Sequence, residues 1–432
     1  MRLLRNRAPP GLHATLRGFD EAARLAVFDR TGNHSGRLAR EGILQRFVGG
    51  EYDLDVVSSG FLLSEEYEWY RRDSGARFWA GSIDHIHLIQ HAEFTGTVGL
   101  GGTWSARAQL THQQTLLARR SLVQIAFRRD VAGSRLQVFL AGTLQQQKPD
   151  ADIKAGVTWR PGFGSVTLAV ASLDAFSDFI HQGLGVSDLT DSVIDYTAHP
   201  FTARLAVDLA PSPRFRVELY TLAMTPTGLE VDNADGSAGY FHQDERYAYA
   251  GVLLERSPGR HTAGGPLATW VRARMDRTQL PGGLAGDNFD QVRKTWRIGG
   301  FALRRLSARV TLEARLTRLF RSEDGTPRPP SGDAATAYTD KAWIGLGNFQ
   351  YGAPSGFRLD LGLDVSARAI RDSGSPGFGY RAENNYRVRA DVGWSFGQRA
   401  MFVLGGNADL DRDNRGSAGW FDGAHGRFAF YW

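Results

Sequence analysis

The chain has 432 residues, 42% of them hydrophobic and 51 of them glycine, and Lys plus Arg exceed Asp plus Glu by only 51 to 46. It has no cysteine, which excludes a disulfide framework, a thiolate nucleophile and a Cys-ligated zinc site. The small, Arg-dominated surplus points to no nucleic-acid partner. No stretch approaches the roughly 18 apolar residues of a membrane helix, so strands are the remaining way across a bilayer.

The first residues hold Arg2, Arg5, Arg7, Pro9 and Pro10, and no apolar run with a small-residue cleavage site follows, so no signal peptide is recognisable. An upstream start, a fragment and a cytosolic protein are the readings this leaves. Leu12, Leu16, Phe19, Ala22, Leu25 and Phe28 then recur at helical spacing, and Ile43, Leu44 and Phe47 repeat the pattern before Gly49-Gly50. Residues 1–50 are expected to form a short helical segment, periplasmic or luminal, ahead of a second unit spanning 51–432.

After Gly50 the period changes to two. Phe357, Leu359, Leu361, Leu363 and Val365 alternate with Arg358, Asp360, Gly362, Asp364 and Ser366. Val310, Leu312, Ala314 and Leu316 alternate with Arg309, Thr311, Glu313 and Arg315. The same holds for Phe215, Val217 and Leu219 against Arg214, Arg216 and Glu218, and for Tyr386, Val388, Ala390, Val392 and Trp394 against Arg387, Arg389 and Asp391. Leu205, Val207 and Leu209 stand likewise against Arg204 and Asp208, and Arg107 falls on the polar face of a fainter segment. About 16 strands are predicted, within a range of 14 to 18. The segment from Tyr52 to Phe94 is compatible with one, two or three of them.

Turn residues separate these segments at Asp130–Gly133, Gln147–Asp150, Arg160–Gly162, Ala210–Pro213 and Phe396–Gln398. Longer polar stretches cover Phe176–Val193, Thr225–Gln243, Asp276–Asp290, Ser322–Asp340, Arg371–Glu383 and Asp411–Trp420. Short turns alternating with long loops, strands of ten residues or so and aromatics toward strand ends favour an all-β transmembrane antiparallel barrel over a soluble sandwich. Charged residues such as Glu313 and Asp364 would incur several kcal/mol each in a dry core, which a wet lumen avoids.

At the C-terminus Phe428, Phe430 and Trp432 alternate with Arg427, Ala429 and Tyr431, and an aromatic residue is the last one in the sequence. This strand resembles the closing strand of Gram-negative outer-membrane β-barrel proteins, a broad, porin-like group. The resemblance implies that Phe428, Phe430 and Trp432 form the signal read by the barrel-assembly machinery. It also implies a place in the outer membrane among its lipid and lipopolysaccharide.

On this reading the lumen is lined by Arg107, Arg204, Arg214, Arg216, Glu218, Arg309, Glu313, Arg315, Arg358, Asp360, Asp364, Arg387, Arg389 and Asp391. Guanidinium forks bind carboxylate and phosphate, so the expected function is a channel or export pore for polar solutes, with an anionic solute or acidic polysaccharide as the sharper version. Pairing of these charges along the wall is the blander version. Two alternatives are an exopolysaccharide export barrel at the end of a longer protein and a plugged structural or adhesive barrel.

Catalysis is not expected. No nucleotide, zincin or G-x-S-x-G hydrolase signature occurs, and His112, His199 and His242 have no partner that the sequence identifies. Metal and cofactor sites are not expected either. The nearest candidates are His85, His87 and His91, placed with Glu93 on one face if the segment is a regular strand, and Asp409, Asp411 and Asp413, which resemble the opening of a calcium loop without its terminal Glu.

Overall fold

The computed structural model describes residues 75–83, 87–114, 119–145, 152–172, 192–198, 201–233, 241–259, 261–279, 289–327, 336–372, 381–396, 400–410 and 421–431. The expected helical segment 1–50 lies outside the described residues, as do 51–74. The strands in chain order are β1 (Gly75–Ile83), β2 (His87–Gly101), β3 (Trp104–Gln114), β4 (Arg119–Asp130), β5 (Leu136–Gln145), β6 (Asp152–Trp159), β7 (Gly164–Ser172), β8 (Ser192–Ala198) and β9 (Phe201–Ser212). They continue with β10 (Phe215–Asn233), β11 (Phe241–Gly259), β12 (Thr262–Gln279), β13 (Phe289–Arg305), β14 (Val310–Pro327), β15 (Thr336–Gly352), β16 (Phe357–Asp372), β17 (Arg381–Phe396), β18 (Ala400–Asp409) and β19 (Phe421–Tyr431).

Every pairing is antiparallel between neighbours, and the sheet closes because β1 pairs with β19 on one edge and with β2 on the other. Strands β8 and β9 both pair with β10, at its far and near halves respectively, so they are two parts of one crossing. Among the described residues the wall therefore has 18 crossings, at the top of the range predicted from the sequence. Closure gives the lower part of the wall partners on both sides, as hydrocarbon requires, whereas higher up β8 pairs with β10 alone among the described residues.

Alternation sorts the side chains by polarity onto the two faces. Val98, Leu110, Ile125, Leu140, Val157, Leu168, Ile298, Leu316, Leu363 and Leu404 are exposed. Cross-strand register puts them on a single face running round the barrel. The opposite face carries the buried Arg107, Lys154, Thr167, Arg204, Thr269, Arg297 and Thr317. An apolar exterior around a polar, covered interior inverts the soluble arrangement and is what lipid requires.

Aromatic rows bound the apolar exterior. At one margin lie Trp104, Trp159, Phe357 and Trp394, with the Phe357 and Trp394 rings 5.5 Å apart. At the other lie Trp270, Trp296, Phe320 and Trp343, with the two indoles of Trp270 and Trp296 6.0 Å apart. Along β15 and β17 about eight residues separate the margins, from Trp343 to Tyr351 and from Tyr386 to Trp394. At roughly 2.5 Å of height per tilted residue this is about 20 Å, close to the height of a lipid-facing band.

The two ends differ. Connections at 102–103, 131–135, 160–163, 213–214, 260–261, 306–309, 353–356 and 397–399 join strands at one end, where β1 also begins and β19 finishes. The longer connections, at 173–191, 234–240, 280–288, 328–335, 373–380 and 410–420, all join strands at the other end, together with three shorter ones at 84–86, 115–118 and 146–151. Gly356 shows why the tight turns need glycine: its φ is +90°, and a Cβ there would lie 2.1 Å from the Ser395 carbonyl oxygen.

The strands run farther than their apolar stretches predict. Parts of the segments expected as loops are strand: β10 continues to Asn233, β12 to Gln279, β14 to Pro327, and β15 begins at Thr336, while the rest of these segments lies outside the described residues. Hydrogen-bonded pairing does not stop where the lipid-facing side chains do, because the backbone groups need partners in either medium. The wall over β10–β17 consequently stands about 40–45 Å tall, against about 20–25 Å over β5–β7.

Candidate functional site

The lumen-facing side is the candidate site. Its best-defined charge cluster joins β9 and β10. Asp208 and Glu218 are cross-strand partners, which alone would be repulsive. Arg216 resolves this, donating from Nε to Asp208 Oδ1 at 2.8 Å and from Nη2 to Asp208 Oδ2 at 3.1 Å, with Glu218 Oε2 3.5 Å away. Such bidentate pairing fixes the carboxylate plane as well as its position. On β14 Arg315 donates to Glu313 two residues away, both side chains being almost covered.

Near the tight-turn rim Arg160 donates from Nη2 to Gln137 Oε1 at 2.7 Å, and Gln137 in turn donates to Asp130. The hydroxyls of Thr158 and Thr167 bridge β6 and β7 at 2.9 Å. The Lys154 ammonium lies 5.3 Å from the centre of the Phe139 ring. That ring lies over Gly156, where a Cβ would come within 2.5 Å of it. A glycine opposite the ring provides the space it occupies.

Of the lumen residues expected from sequence, Arg107, Arg204, Arg216, Glu218, Glu313, Arg315, Asp360 and Asp391 occupy the lumen-facing register of their strands. Arg358, Asp364, Arg387 and Arg389 hold the same register in β16 and β17, with Asp364 directly across from Arg387 and Asp360 across from Asp391.

Arg214 and Arg309 do not line the lumen. Both are exposed in tight turns, at 213–214 and 306–309. The physical reason is the serine two positions earlier. Ser212 Oγ accepts the Arg214 N–H at 3.3 Å, and Ser307 Oγ accepts the N–H groups of Arg309 and Val310 at 3.1 Å each. A serine bonded to its own backbone two residues on makes a turn and ends the alternation there. Ser134 does the same for Leu136.

Five buried lumen-facing charges escaped the sequence reading: Arg128, Lys154, Glu255, Arg297 and Arg321. Arg297 lies between the exposed Trp296 and Ile298, so the alternation that betrays it was present but short. Apolar lumen positions escaped as well. Leu253, Leu267, Phe301, Leu303, Leu319, Ala342, Ile344 and Leu346 face inward from β11–β15 and are buried. A barrel of this strand number leaves an aqueous channel when its wall is bare, so this sector of the wall is covered.

His85, Asp411 and Asp413 lie outside the described residues, and so does Trp432. The expected regular strand through His85, His87 and His91 is broken instead by a hairpin. β1 ends at Ile83 and β2 begins at His87, its cross-strand partner, while His91 pairs in register with Trp79. Asp409 is the last residue of β18. Among the described residues no three His, Asp or Glu side chains are grouped to hold a metal ion. Phe428 and Phe430 face outward on β19 and are exposed to the lipid side.

An even number of crossings, an apolar exterior between aromatic rows, and tight turns gathered at the end where β1 starts and β19 finishes occur together in one kind of protein. The architecture is that of an outer-membrane β-barrel. In such barrels the tight-turn end faces the periplasm and the longer connections face the cell exterior.

Several solved structures show a distant similarity to this chain. OmpT lacking loop L8, an outer membrane protein of Vibrio cholerae, matches with a TM-score of 0.39 and 12% identity over 83% of this chain and 100% of that one. OccK10 (OpdN) of Pseudomonas aeruginosa matches at 0.40 and 10% over 83% and 98%. CdiB from Acinetobacter baumannii matches at 0.41 and 6% over 83% and 60%. No protein-family model matches the sequence, and no curated protein does. The assignment of the barrel rests on its own closure, faces and turns.

Proposed function

We propose that the barrel is a selective passage for polar solutes, anionic ones above all. The observation that carries this reading is the charge of the buried lumen face. Among the described residues its buried ionised side chains are Arg107, Arg128, Lys154, Arg204, Arg216, Arg297 and Arg321 against one acid, Glu255. Their summed positive charge favours a passing carboxylate, phosphate or acidic polysaccharide through the field along the wall, without direct contact. The work is solvation and charge selection along the wall, with no bond made or broken. Phe428 and Phe430, with Trp432, serve insertion by the barrel-assembly machinery.

The test is conductance in planar bilayers under a salt gradient. Discrete steps with a reversal potential on the anion side are expected, and replacing Arg204 and Arg297 together by Gln should lower the anion preference. A cation-selective pore, or one unmoved by the double substitution, contradicts the proposal. A second reading, a closed barrel whose function resides in its extracellular part, draws support from the covered Leu253, Leu319 and Ala342. It predicts no steps from protein that still shows heat-modifiable migration.

A further inference from the structure

A cationic row on the outside of the tall wall is not explained by passage through the lumen. Arg246, Arg272, Lys294 and Lys341 project from β11, β12, β13 and β15 on the lipid-facing register and are all exposed. Arg272 and Lys294 are direct cross-strand partners, and Arg246 is the partner of Arg274. Like charges facing each other across a ladder are destabilising. Arg274 is neutralised locally, donating to both carboxylate oxygens of Asp290 at 2.9 and 2.8 Å with Asp276 3.6 Å away. Arg246, Arg272, Lys294 and Lys341 have no such acid partner among the described residues. Two further acids of this face, Asp244 and Asp324, stand farther from the apolar band.

The row is level with the membrane surface. Arg272, Lys294 and Lys341 each lie about ten or eleven residues along their strands from the tight-turn end, and Arg246 about thirteen. A tilted strand crosses the hydrocarbon in about 9–11 residues. Immediately below are Trp270, Trp296 and Trp343, Phe320 is the direct cross-strand partner of Lys341, and the Arg318 guanidinium rests 5.2 Å from the Phe320 ring and 5.0 Å from the Trp343 ring. The cations thus begin where the extracellular-side acyl chains end.

We propose that this row binds the phosphate groups of a phosphorylated glycolipid of the outer leaflet, with its sugars and upper acyl chains against the aromatic row. An anion placed between Arg272 and Lys294 turns a repulsive cross-strand pair into a two-sided clamp. The ligand is a lipid because the site opens sideways onto the apolar band.

The experiment titrates the full chain in detergent with bisphosphorylated lipid A and reads the bound lipid by native mass spectrometry. Dephosphorylated lipid A and inorganic phosphate serve as comparison probes. Wild-type protein should retain the bisphosphorylated lipid at least about tenfold more tightly than the dephosphorylated one. Arg246→Gln, Arg272→Gln, Lys294→Gln and Lys341→Gln combined should lose that difference, while Arg214→Gln with Arg309→Gln should keep it. Equal retention of the two lipids by wild type overturns the proposal without any variant. So does undiminished binding by the fourfold variant, or displacement of the lipid by millimolar inorganic phosphate. Heat-modifiable migration verifies that the variants are folded.

Discussion

Replacing Leu363 by Arg tests the membrane assignment most directly. Leu363 lies on the exterior of β16 and is 45% exposed. It stands about six residues, roughly 15 Å, above the tight-turn end of its strand, near the middle of a band about 25 Å tall. If lipid surrounds it, an arginine there costs about 2–4 kcal/mol. A cost of about 3 kcal/mol lowers the folding equilibrium constant by roughly 150-fold. If water surrounded it, a substitution at so exposed a position would change stability by no more than about 0.5 kcal/mol. Val310→Arg is the internal control. Val310 opens β14 at the tight-turn margin, where the same change costs about 0–1 kcal/mol. The assay is reversible urea titration of folding into lipid vesicles, followed by tryptophan fluorescence and heat-modifiable migration. Leu363→Arg and Val310→Arg with equal, small costs would refute the placement of this face in lipid.

Three further outcomes follow from the wall. Leu319→Ala should cost about 2–5 kcal/mol because Leu319 is 1% exposed on the lumen side, whereas Leu316→Ala, 55% exposed on the lipid side, should cost far less. Equal costs in the same titration would mean that the lumen sector is not packed. Asp208→Asn should destabilise the barrel by about 1–3 kcal/mol, since it removes the charged, bidentate carboxylate to which Arg216 donates at 2.8 and 3.1 Å. The paired substitution Asp208→Asn with Arg216→Gln should recover part of that loss, and a fully additive pair would show that the ion pair is not coupled. Gly356→Ala should lower the temperature of the migration shift, because φ is +90° and the added Cβ meets the Ser395 carbonyl. An unchanged transition would mean that the β15–β16 turn tolerates a side chain.

Much of the site was legible in the sequence where alternation ran long. Arg216, Glu218, Glu313, Arg315, Asp360 and Asp391 belong to strands whose apolar partners mark the opposite face for several residues on either side. Arg128, Lys154, Arg297 and Arg321 lie in shorter or impure alternations, and glycine or alanine at neighbouring positions blurs which face is which. Arg214 and Arg309 were misplaced for another reason. The alternation of the strand that follows extends formally back to each of them, and only the hydroxyl-to-backbone bonds from Ser212 and Ser307 show that they still belong to the turn before it.

Period two, turn residues and an aromatic last strand were enough to establish antiparallel strands with an apolar face for lipid, because each strand's polarity is written in its own residues. The number of crossings, the closure of β1 on β19, the covering of the inner leucines and the level row of Arg246, Arg272, Lys294 and Lys341 were not. These depend on register between strands and on the stagger that accumulates around a closed, tilted sheet. Hydrogen bonding between distant segments sets both, and no local pattern encodes them.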